Sequence, residues 1–134
     1  MAAHNSEYPW LSYHGNYRFF EERMMEHSQV TQLDRLGTGH YRLVRSSGQE
    51  LVVFICECYS FGASECDEVI ENIGPIDAVV INSSWCGYAL DFKLDRMKNE
   101  VGIFTIGEFM AALNMPKFWL YLSPQQKKDL ERRK

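Results

Sequence analysis

The stretch from Leu51 to Tyr59, L-V-V-F-I-C-E-C-Y, restricts the possible folds more than any other part of the chain. Apolar, β-branched and aromatic residues fill both alternating positions, which suits a central strand covered on both faces. Such a strand requires helices or a second sheet on either side of it. The segments 76–82, I-D-A-V-V-I-N, and 102–106, G-I-F-T-I, repeat the pattern as further buried strands. Between them the apolar spacing turns helical.

Ser64 is placed to cap a helix over 65–73, with Glu65, Asp67 and Glu68 in the first turn and Cys66, Val69, Ile70 and Ile73 on the inner stripe. Gly74 and Pro75 stop it. A helix over 88–100 turns Leu90, Leu94 and Met97 inward, and Thr105 with Glu108 has capping-box spacing for a helix over 107–113. Ser123-Pro124-Gln125-Gln126 starts a polar helix over 124–134. Upstream, Tyr17, Phe20, Met24, Val30 and Leu33 recur at helical spacing and predict one helix over 16–36, ended by Gly37 and Gly39. Residues 40–45 alternate as a half-buried strand, and Ser46 to Gln49 turn back into the central strand. The predicted order is α-β-β-α-β-α-β-α-α. It describes an α/β protein with a mixed central sheet of about four strands flanked by helices.

A chain of 134 residues, 46% of them hydrophobic, fits one domain with a single core. Residues 1–13 read as an irregular N-terminal arm, 14–114 as the core and 124–134 as a basic C-terminal helix. No apolar run reaches the ~20 residues that a membrane-spanning helix needs, and the polar start lacks the plan of a signal peptide. Four cysteines without a dense framework suit reduced thiols and a cytoplasmic location.

The net charge of −4 is unevenly spread. No Lys or Arg occurs between Arg45 and Lys93, where eight acidic residues fall. That acidic stretch, 46–92, disfavours nucleic acid as a partner, because duplex affinity comes largely from Lys and Arg on phosphates. Lys127, Lys128, Arg132 and Arg133 in the last helix are the basic candidates for binding, with a solvated helix face as the plainer explanation.

Glu57 stands out among the residues able to carry chemistry. Alternation puts it on the face of Val53 and Ile55, near the carboxyl end of the central strand. A carboxylate there meets a metal, a cation or hydrogen-bond donors, or becomes neutral, unless it already faces solvent. Asn82, Ser83 and Ser84 close the next strand and join Glu57 if the two strands are adjacent and parallel; as turn residues they also need no further role. Cys56, Cys58, Cys66 and Cys86 lack the paired spacing of a zinc site and read as core thiols.

The hairpin leading into V-x-x-x-E, followed by helix, strand, I-N-S-S-W, helix and a short G-I strand, resembles the restriction-endonuclease-like superfamily, closest to its Mrr-like branch. The likeness spans about residues 14–114. It implies that an Asp on the preceding strand and an E-x-K on the central strand bind Mg²⁺ or Mn²⁺ and activate water for phosphodiester hydrolysis. Glu57 takes the acidic position of E-x-K, as catalytic residue and metal ligand. Tyr59 stands where the lysine belongs, and no Asp lies in 40–45, which leaves Asp34 and Asp77 as recruits from elsewhere. The departures point to a degenerate member that needs no cofactor and binds a protein partner or a second copy of itself, as a homodimer, with Tyr59, Asn82, Ser83, Ser84 and Trp85 at the vestigial site. A metal-dependent nuclease is the alternative, and a small-ligand module at Glu57, Asn82 and Ser83 a third.

Overall fold

A computed structural model describes residues 14–37, 39–57, 60–82 and 87–133. The elements run α1 (His14–Glu26), β1 (Val30–Gly37), β2 (His40–Arg45), β3 (Glu50–Cys56), β4 (Ser60–Phe61), α2 (Ala63–Ile73), β5 (Ala78–Ile81), β6 (Gly87–Tyr88), α3 (Leu90–Met97), β7 (Gly102–Thr105), α4 (Ile106–Ala112), a 3₁₀ turn (Phe118–Leu120) and α5 (Pro124–Arg132). The main sheet has five strands in the order β1-β2-β3-β5-β7, and β4 with β6 forms a small parallel pair of its own. β1, β2 and β3 are antiparallel neighbours, whereas β3, β5 and β7 run parallel. The α/β class and the mixed sheet match the reading of the sequence.

The fifth strand is the main correction. The helix expected over 16–36 ends at Glu26, and 30–37 is an edge strand. His27 makes the break: its Nδ1 accepts from the Gln29 amide at 3.0 Å, which leaves Nε2 to donate to the Met110 carbonyl at 2.7 Å. That tautomer ties the end of α1 to α4. The other boundaries move less. Gly62, not Ser64, caps α2, because the Glu65 carboxylate takes the Gly62 amide at 2.9 Å. The capping boxes at Thr105 and Ser123 form as expected. The expected strand 51–59 ends at Cys56, and Ser60–Phe61 pair with Gly87–Tyr88 instead.

The pleat of the sheet sends its side chains into two separate cores. Tyr41, Leu43, Val53, Ile55, Val80 and Phe104 pack on one face against Phe20 and Met24 of α1, Phe109 of α4 and Phe118 of the 3₁₀ turn. Phe54, Cys56, Val79, Ile81 and Ile103 pack on the other against Cys66 and Val69 of α2, with Phe92 of α3 beside them. β3 and β5 are buried on both faces, as the unbroken apolar runs require.

Phe104 anchors the first core, with ring centroids 5.7 Å from Phe109 and 6.4 Å from Phe118. Its ring folds back over Gly102, where an added Cβ would meet Phe104 Cε2 at 2.3 Å. Gly102→Ala is therefore expected to overpack the core and lower stability by about 1–3 kcal/mol, read from the midpoint of chemical denaturation. A midpoint unchanged from wild type would mean that the ring turns away freely.

Candidate functional site at the carboxyl edge of the sheet

The parallel register continues beyond Cys56↔Ile81, with the Asn82 amide donating to the Cys56 carbonyl at 2.9 Å. Glu57 and Asn82 are consequently neighbours at the carboxyl ends of β3 and β5, the edge where open α/β sheets take ligands. Asn82 is buried, and burial raises the Glu57 carboxyl above the ordinary carboxylate range. The adjacency expected of this pair is present. The residues expected to join them, Tyr59, Ser83, Ser84 and Trp85, lie outside the described residues, as do Cys58 and Cys86.

Asp34 and Asp77 lie elsewhere. Asp77 precedes β5 and accepts from the Val52 amide at 2.7 Å, so it sits at the amino end of the parallel strands. Glu57 lies five positions beyond Val52, about 16 Å along a strand. Asp34 on β1 is paired with Arg42 on β2, which is paired in turn with Val52, so it shares the Asp77 level of the sheet. Its side chain shares the face of Val52, opposite to that of Val53 and Ile55 where alternation puts Glu57. Arg42 Nη2 donates to Asp34 Oδ2 at 2.6 Å and Gln32 Nε2 at 2.7 Å, and these bonds hold that carboxyl below its usual range. Among the described residues, no group of three His, Cys, Asp or Glu side chains is placed to hold a metal ion. The turn before β2 lies against the end of β3, with the Gly39 carbonyl accepting from the Ile55 amide, and β2 there opens with His40 rather than an acid. Burial pushes the His40 imidazole below its ordinary value.

Cys56 and Cys66 are buried cysteines on the face opposite to Val53 and Ile55. Burial pushes the Cys66 thiol up, which disfavours the thiolate, the nucleophilic form.

The sequence reading missed a second polar assembly, at the open side of β7. The Gly102 amide points to the Asp77 carbonyl, so by alternation the backbone groups of Ile103 and Thr105 point away from the sheet. Side chains meet one group of each, the Ile103 carbonyl and the Thr105 amide. Lys93 of α3, fully buried, donates from Nζ to the Ile103 carbonyl at 2.6 Å and lies 4.2 Å from the Phe104 ring centroid. Glu108 Oε1 accepts from the Thr105 amide at 2.9 Å and from the Tyr88 hydroxyl at 2.6 Å. Gln126 of α5 donates from Nε2 to Tyr88 Oη at 2.8 Å while its Oε1 accepts from the Ser123 amide. Burial first, then the Glu108 carboxylate, pushes the Tyr88 phenol well above its ordinary value. The cluster closes an edge that would otherwise offer itself to another strand. One signal for it was in the sequence: Lys93 falls three residues after Leu90 and four before Met97, on the stripe expected to face inward.

The basic candidates are on α5 and its C-cap, Arg133. Lys127 and Lys128 are exposed, Arg132 reaches Asp129 at 3.8 Å, and Arg133 meets Asp91 at 2.6 Å. Among the described residues no helix is long and apolar enough to cross a membrane. Comparison with protein-family models, with curated proteins and with solved structures finds no match to this chain.

Proposed function

We propose that this chain is a degenerate, non-catalytic relative of the restriction-endonuclease-like proteins that acts in the cytoplasm by binding another protein or a second copy of itself. One observation carries the reading: the three carboxylates that a metal-dependent nuclease would gather are dispersed. Asp34 is committed to Arg42, Asp77 to the Val52 amide at the far end of the strands, and Glu57 keeps company with Asn82. Hydrolysis by a bound divalent ion needs several oxygen ligands converging on one point. The hairpin that leads into a central strand and then crosses over to a parallel one supports the family likeness. The acidic stretch 46–92 favours protein over nucleic acid on the same electrostatic ground as in the sequence.

The test is cleavage. Wild type and Glu57→Ala, purified in parallel, are expected to leave single- and double-stranded DNA and RNA intact with Mg²⁺ and with Mn²⁺. Cleavage by wild type that vanishes in Glu57→Ala would overturn the proposal in favour of the nuclease.

A further inference from the structure

We propose that α5 is a releasable strap, which leaves Tyr88 and Asp91 as a unit while the sheet stays folded and thereby uncovers the Tyr88 hydroxyl at the end of β7. None of the nine residues of α5 is buried. Among the described residues its side-chain hydrogen bonds to the body are two, Gln126 on Tyr88 at 2.8 Å and Arg133 on Asp91 at 2.6 Å, with Leu130 half-buried between them in sequence. A neutral hydrogen bond and an exposed ion pair are weak attachments. A helix this short is also marginal without a surface to rest on, so release and melting are one event. The strands beneath are held quite differently, since Val79, Val80, Ile103 and Phe104 are completely buried. Elements with few buried contacts open locally, well below the free energy of global unfolding.

Release changes what the surface offers. Docked, Arg133 is tied to Asp91; released, it joins Lys127, Lys128 and Arg132 on one basic segment, while the Tyr88 hydroxyl that donates to Glu108 loses its bond from Gln126. The strap goes beyond the protein-binding reading and does not depend on it.

Amide hydrogen exchange on the full chain, followed through low denaturant, tests the proposal. The α5 amides are expected to exchange at rates that low denaturant barely alters, while those of β5 and β7 follow the slope of global unfolding. Gln126→Ala and Tyr88→Phe each remove the connecting hydrogen bond, and each is expected to speed α5 exchange about two- to twelvefold, from the net worth of one such bond. Tyr88→Phe leaves the Ser123–Gln126 capping box in place, so an effect common to both variants belongs to the latch and not to the cap. Tyr88→Phe then adds little to Gln126→Ala, which has already removed the shared hydrogen bond. Exchange of α5 only through global unfolding, or α5 rates that neither variant moves, would overturn the strap.

Discussion

Arg45→Met is expected to lower stability by about 3–5 kcal/mol, with little change in the steepness of the denaturation curve. Arg45 ends β2 almost completely buried and spends its guanidinium on the chain beyond α4. Nη2 donates to the carbonyls of Leu113 at 2.9 Å and Met115 at 2.5 Å; Nη1 donates to Pro116 at 3.0 Å and to Gln49 Oε1 at 2.9 Å. Leu113 is the C-cap of α4, where carbonyls lack intrahelical partners and the helix dipole is negative. A planar cation with several donors suits that end, and its carbon lies 5.7 Å from the Phe118 ring centroid. Burial pushes the Arg45 pKa down, yet an arginine stays protonated throughout the working range. Methionine keeps the apolar stem and abandons three carbonyls, at about 1–3 kcal/mol for each one left dry. A cavity of about 190 Å³ lined by Gln29, Ser47, Gln49 and Asn114 admits some water to them, which keeps the total toward the lower end of that sum. Arg45→Lys restores a cation without the fork and is expected to fall between wild type and Met. A Met variant within about 1 kcal/mol of wild type would mean that water replaces the guanidinium almost completely.

Arg45 also illustrates what the sequence withheld. Alternation over 40–45 puts Tyr41, Leu43 and Arg45 on one face, yet a charged residue at a strand end reads naturally as a turn to solvent. Only the arrival of Leu113, Met115 and Pro116, about 70 residues on, makes burial favourable. Lys93 presents the same difficulty: its place on the inner stripe of α3 is legible, but the carbonyl it needs comes from β7. Elements whose reasons are local were recovered well. The capping boxes at Thr105 and Ser123 and the buried runs of β3, β5 and β7 depend on neighbours a few residues away. The failure over 16–36 is also physical. A bulge between Val30 and Gln32 breaks the two-residue alternation of β1, so Val30 and Leu33 fall into spacing that a continuing helix would share with Phe20 and Met24. At the candidate site the adjacency of Glu57 and Asn82 followed from strand order. The isolation of Asp34 and Asp77 from them needed the register.

The stability of wild type relative to Lys93→Met is expected to rise by about 2 kcal/mol between about pH 7 and about pH 9.5. Burial, only partly offset by the Glu108 carboxylate, brings the Lys93 ammonium down from 10.5 to about 8. The sign follows from counting protons. Below pH 8 the folded and unfolded chains both carry this proton, and the fold bears the whole cost of burying a charge. Between 8 and 10.5 the folded chain has lost it while the unfolded chain keeps it, so stability increases with pH. Above 10.5 neither holds it and the penalty is gone. A displacement of this size corresponds to about 3 kcal/mol in all, of which roughly two thirds falls within the measured window. Methionine has no proton to count, so the difference between the two curves isolates Lys93 from the remaining titrations. The window stops below pH 10 because the Tyr88 ring lies 5.5 Å from Lys93 Nζ and its raised phenol adds the opposite slope there, a slope that removal of the neighbouring ammonium alters and the subtraction therefore does not cancel. Urea denaturation of both proteins at a series of pH values makes the measurement. Parallel curves would mean that Lys93 keeps its proton on the Ile103 carbonyl and the Phe104 ring throughout, and that this edge is held by a permanent cation.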